Sequence, residues 1–182
     1  MEAVRLTVRT GSDRGFTDLT DACRRFLAER GGGADGLLTV FVPHATAGVV
    51  ILELGAGSDD DALETLDRLL PRDERWRHRH GAPGHGADHV LPLLAAPSIT
   101  VPVVGGAMVL GTWQSIALLD PNADNAARSV ILSFLAGWPR RPPVAQPVRL
   151  VTLEATLGGR SAQWVNAPSP ERPSEPGRVA VE

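Results

Sequence analysis

Residues 98–120, SITVPVVGGAMVLGTWQSIALLD, decide the fold class. Ile99, Val101 and Val103 alternate with Ser98, Thr100 and Pro102, the period of two that turns one side of a strand into a core. Gly105-Gly106 supply the positive φ of a two-residue hairpin turn, so a return strand is expected from Ala107. Pro102 has no N–H to give a neighbour, which assigns it to an edge, a bulge, or a position that faces away from a neighbouring strand. Gly111-Thr112-Trp113-Gln114 interrupt the return, and the apolar run Ile116–Leu119 follows. Two readings of the interruption stay open: a β-bulge with a core indole, or a functional corner.

Working outward, Val4–Val8 alternates and predicts a first strand ending before Gly11. Ala22, Cys23, Phe26 and Leu27 share one face at helical spacing, with Thr20 as the expected N-cap and Gly31-Gly32-Gly33 as the stop. Leu37–Val42 is a continuous apolar run, which predicts a strand buried on both faces. Val49–Leu54 leaves the junction Pro43–Gly48 as another strand, with Val49, Ile51 and Glu53 on one side. Ser58 with Asp61 three residues on predicts a capping box at the head of a helix whose stripe is Leu63, Leu66, Leu69 and Leu70. Downstream, Arg128–Leu135 predicts the last strand of the core, entered through the turn Pro121–Asn125. The expected class is α+β, a single compact domain with a mixed or antiparallel sheet and two main helices. Its expected span is 1–138, because the segments PRRPPVAQP and APSPERPSEPG beyond Trp138 read as linker or disorder; only 148–157 there suits a further strand.

Composition narrows the chemistry. The chain has 182 residues, 43% of them hydrophobic, and a net charge of −3, so a sizeable core is affordable and nothing marks a nucleic-acid footprint. No apolar run approaches the ~18 residues of a membrane-spanning helix, and the first residues carry no signal-peptide core; a cytoplasmic protein that binds neither membrane nor nucleic acid is expected. The single cysteine, Cys23, rules out an intrachain disulfide and reads as a core residue. All 18 basic residues are Arg, which excludes a Schiff-base or PLP lysine and a P-loop lysine, so neither PLP nor a nucleotide cofactor is expected. With Tyr absent as well, proton transfer and charge stabilisation fall to His, Asp, Glu and Arg.

The five histidines, His44, His78, His80, His85 and His89, all lie between residues 44 and 89, three of them in the polar loop RDERWRHRHGAPGHGAD at 72–88. Imidazole is the side chain best poised for proton transfer near neutral pH and the commonest nitrogen ligand for metals. No helical zinc motif is present, and solvation explains His78, His80 and His85 as well as chemistry does; His44 and His89, beside predicted strands, are the stronger candidates.

HATAG at 44–48, the acidic helix start at 59–61, WRH at 76–78, the Asp-His pair ending at His89, PSITVPVVGG at 97–106 and GTWQ at 111–114 occur in that order. Together they resemble the secondary thiamine-phosphate synthase family over residues 4 to 137. The resemblance implies a homotrimer with sites near subunit contacts, and a transferase that joins a hydroxymethylpyrimidine diphosphate to a hydroxyethylthiazole phosphate. It implies His44, Glu53, His89 and Gln114 as catalytic residues, and Thr46, Asp61, Trp113 and Arg128 as contacts to a small phosphorylated metabolite. A divalent metal, Mg or Zn, would be held by His44, His78 and His89. Leu52 and Leu91 stand where that family carries Asn and Lys. Two alternatives remain beside it: a metal-assisted hydrolase, and a non-catalytic trimeric binding module for a small anionic metabolite.

Overall fold

The computed structural model describes residues 1–121, 123–137, 151–152 and 165–166. In chain order the first part holds β1 (Glu2–Arg9), β2 (Gly15–Asp18), α1 (Thr20–Arg30), β3 (Gly36–Phe41), β4 (Gly48–Leu52), α2 (Ser58–Leu69), the one-turn α3 (His85–Asp88), β5 (Ser98–Val104), β6 (Ala107–Met108), β7 (Ser115–Asp120) and β8 (Ala127–Ala136). A five-stranded sheet has the order β1-β8-β3-β5-β6 and a three-stranded sheet the order β2-β7-β4. Every pairing in them is antiparallel. This is the expected α+β class with two main helices. The chain divides into two units, Met1–Trp138 and Pro139–Glu182. Of the strand expected at 148–157, Val151–Thr152 pairs with Val165–Asn166, and the rest lies outside the described residues, as does the expected disorder. Among the described residues no helix is long and apolar enough to cross a membrane.

The hairpin in the deciding stretch forms as its glycines require: Gly105 and Gly106 have φ of 57° and 80°, and Val104 pairs with Ala107 across them. β6 pairs with β5 only at Val103 and Val104; just beyond it Pro102, which has no N–H to give, still accepts the Val109 N–H at its carbonyl (2.9 Å). Leu38 and Val40 of β3, Val101 and Val103 of β5, and Val130, Leu132 and Phe134 of β8 form the inner face of the large sheet. Against them pack Cys23, Phe26 and Leu27 of α1 with Val49, Ile116 and Leu118 of the small sheet. Burying each such aliphatic side chain contributes roughly 1.5–3 kcal/mol. A second cluster, Leu91, Ala95 and Leu119, receives Leu63 and Leu66 from α2 and Leu70 just beyond its end. Cys23 is fully enclosed, and burial followed by the charge of Asp18 pushes its thiol up to about 12, so it is an inert core residue.

Four local expectations are corrected. β3 is buried on one face only; Leu37 is 46% exposed on the other. Thr20 does not cap α1. Its hydroxyl accepts the buried Ile116 N–H (3.0 Å), while Asp18 Oδ1 takes the Thr20 N–H (2.7 Å). At α2 the cap position is Gly57, with φ of 90°, and Ser58 is the first helical residue with no side-chain cap bond. β4 stops at Leu52, so Glu53 stands beyond the strand, exposed.

Candidate metal centre

The 72–89 loop is closed by charge, independently of its imidazoles. Arg72 pairs with Asp88, whose side chain is 2% exposed, and Arg72 also donates to the Pro83 carbonyl (3.2 Å). Trp76 donates its indole N–H to Pro71 O (2.7 Å), pinning the near end of the loop. Gly86 lies so close to Trp76 that a Cβ there would sit 2.5 Å from the Trp76 Cβ, which is why α3 can fold down onto the indole. Gly81 and Gly84 turn the chain at φ of 84° and 88°.

That closure gathers four of the five imidazoles. His78 lies 4.1 Å from His80, 4.3 Å from His89 and 5.3 Å from His85, ring centre to ring centre. His85 lies 4.9 Å from His80 and 4.7 Å from His89, residues one helical turn apart across α3. Ring nitrogens of His78, His80 and His85 all fall within 4.8 Å of one another. His89 joins from the far side, 6.4 Å from His80 but with its Nε2 only 3.0 Å from Nε2 of His85. His85, 11% exposed, places its Nδ1 2.8 Å from Asp124 Oδ2. His78 and His89 are held below the usual imidazole range, first by lost hydration and then by the neighbouring imidazoles; Asp88 opposes this at His89. Beside the rings opens a cleft of about 440 Å³, bordered by Arg79, Trp76 and the 81–86 turn.

The other sequence candidates have different surroundings. His44 lies in the loop after β3, where Nε2 accepts the Ser129 N–H (2.9 Å) and Nδ1 is 3.5 Å from Arg128 Nη1. Burial first, then Arg128, lowers its pKa, while Asp120 opposes the shift. Arg128 is 1% exposed, and two of its nitrogens donate to the two oxygens of Asp120 at 2.7 Å. Thr10 donates its hydroxyl to the same carboxylate (2.8 Å). Thr46 is buried in the turn beyond His44, and Asp61 is exposed in the first turn of α2. The Gly111–Gln114 segment is a closed turn in which Gln114 Oε1 accepts the Gly111 N–H (2.8 Å) and Gln114 N–H donates to Gly111 O (3.0 Å). Trp113 projects from it 73% exposed, which corrects the core-indole reading. Gln114 borders a cleft of about 410 Å³ against α1.

Of the three expected metal ligands, His78 belongs to the compact group, His89 touches it, and His44 has its Nε2 lone pair engaged by β8. His80 and His85, read as solvated, complete the group instead. The signal for them was the His78-x-His80 pair and the crowding of all five histidines into one segment; nothing in the spacing pointed to Asp124.

An α+β framework carrying a histidine-lined loop is the class that this fold and site define. The chain belongs to the family described as UPF0047 protein YjbQ-like, which matches residues 4–137. It is 63% identical over 124 residues to a UPF0047 protein of Mycobacterium bovis, covering 68% of this chain and 94% of that one. A UPF0047 protein of Archaeoglobus fulgidus is 31% identical over 128 residues, covering 70% of this chain and 98% of the other. Among solved structures, a hypothetical protein of Aeropyrum pernix superposes with a TM-score of 0.67 at 32% identity, covering 75% of this chain and all of its own. A protein of Sulfolobus solfataricus, described as YbjQ-like and of unknown function, gives 0.69 at 24% identity over 75% of this chain and 97% of its own, a likeness of fold. These findings correct the expected family. The matching family is UPF0047 YjbQ-like, and none of the names just given carries thiamine synthesis or a transferase activity. The thiamine-phosphate synthase assignment and the transfer reaction inferred from it are withdrawn.

Proposed function

We propose that the chain is a metal-binding protein whose 72–89 loop holds one divalent ion of the zinc class through His78, His80 and His85, with His89 at its margin. The observation that carries this is the approach of three ring nitrogens to within 4.8 Å of one another. Three nitrogens that share a tetrahedral ion at zinc–nitrogen distances of about 2.0–2.1 Å lie about 3.3–3.4 Å apart, so the exposed His78 and His80 rings must rotate toward His85, whose side chain is 11% exposed, to bring this set into range. An all-imidazole donor set suits Zn, Cu, Ni or Fe, whereas Mg demands oxygen donors and octahedral geometry; of the two metals expected from sequence, zinc is supported. Three imidazoles would leave a tetrahedral ion one further position, as in zinc sites that take up an exogenous ligand.

Equilibrium titration of the full chain with Zn²⁺, Co²⁺ and Mg²⁺ tests the proposal. One equivalent of Zn²⁺ or Co²⁺ binds, Mg²⁺ does not compete, and binding weakens in both His80→Ala and His85→Ala. Zinc at a hundred times its dissociation constant raises stability by about 2.7 kcal/mol. No saturable zinc binding, or binding indifferent to both substitutions, defeats the reading.

A further inference from the structure

Asp124 lies between β7 and β8, and the described residues to either side of it are anchored. Before it Asp120 is held by Arg128 and Thr10; after it the Ala126 carbonyl accepts the N–H groups of Thr10 (3.0 Å) and Gly11 (3.2 Å). From this base the Asp124 carboxylate meets the metal loop. Oδ2 lies 2.8 Å from His85 Nδ1, and both oxygens lie 3.2 Å from the Ala82 N–H. Gly81 makes the approach possible: a Cβ there would stand 2.7 Å from Asp124 Oδ2 and 2.8 Å from the His85 ring.

We infer that Asp124 is the positioning residue of the metal site, taking the Nδ1–H of His85 and thereby aiming the Nε2 lone pair of that ring at the ion; the inference rests on the metal reading above. A neutral imidazole has one N–H to give. The carboxylate claims it at Nδ1, so the ligating nitrogen is Nε2, which accepts from Nε2 of His89 (3.0 Å) and exchanges that partner for the ion when metal binds. A carboxylate behind a ligating histidine also fixes the ring's rotation and makes its other nitrogen more basic. Without it the ring can turn and its tautomers interchange, so part of the binding free energy goes into ordering the ligand.

The test compares the full-length chain with Asp124→Ala and Asp124→Asn, reading Zn²⁺ affinity by chelator competition, the visible spectrum of the Co²⁺ form, and melting of the metal-free protein. Asp124→Ala binds zinc about 10–100-fold more weakly and shifts the cobalt bands. Asp124→Asn, whose amide oxygen still accepts the Nδ1–H, loses less and melts like the wild type without metal. If both variants bind zinc as tightly as the wild type and only the metal-free melting falls, Asp124 merely pins the loop through Ala82 and the inference is overturned. A wild-type chain that binds no zinc overturns the metal reading and this inference together, and the wild-type titration alone separates that result from the former.

Discussion

Arg128 and Asp120 show what one buried charge demands of its neighbours. Neither is near solvent, so the guanidinium keeps its charge only because the carboxylate holds two of its nitrogens, and the carboxylate is completed by Thr10. Removing one partner of such a pair leaves an uncompensated charge and costs about 3–5 kcal/mol. Asp120→Asn is therefore expected to lose that much in urea unfolding; a loss under about 1 kcal/mol would show that the pair holds little. His44 adds a pH dependence. Its folded-state pKa lies below the ordinary 6.5, so around pH 6 the unfolded chain binds more protons than the folded one, and stability must rise with pH. This contribution is present above pH 6.5 and is lost as pH falls through the folded-state value. Melting temperature is expected to drop from pH 7 to pH 5, with His78 and His89 acting in the same direction. His44→Asn, which can still accept the Ser129 N–H, should show a shallower slope, and a melting temperature that climbs on acidification would contradict the assignment.

At the scale of elements, close backbone approach matters as much as apolar pattern. Gly48 opens β4 directly against the Ala95 carbonyl, and an added Cβ would fall inside contact distance of that backbone. Gly48→Ala must push β4 away from the 95–97 segment, and a cost of about 1–3 kcal/mol is expected in chemical denaturation. An unchanged midpoint would mean that the strand shifts freely. The elements that could be read from sequence were those with a clear apolar pattern, whether alternating, helical or continuous: β1, β3, β4, β5 with its Gly105-Gly106 turn, β7, β8 and the two main helices. The short β2 has no alternation to read and exists because β7 pairs with it. Thr20 looks like a cap by identity, yet its hydroxyl is claimed by a strand 96 residues on. The site divides in the same way. A crowd of histidines is visible in one segment, but the ion pair that folds the loop and the carboxylate that orients His85 are tertiary contacts, and no local spacing encodes them.

The whole molecule sets the terms for both. β1 and β3 each pair with β8, so the large sheet is unfinished without the residues up to 136. A chain ending after Arg140 is expected to melt cooperatively, close to the full-length temperature, whereas one ending at Ala126 should show no cooperative transition. Collapse of the longer piece would make the second unit part of the fold. The strand order also has a consequence in time. β1 is made first, but its partner is β8, with Glu2 facing Phe134. At a synthesis rate of about 5–20 residues per second, the first strand waits on the order of 10 s with its hydrogen-bonding edge unpaired. A sheet built from such distant pairings also closes slowly once the chain is complete. The nascent chain therefore passes through a window in which an edge strand is exposed and aggregation-prone, and ribosome-associated chaperones should matter more to its yield than to its final stability.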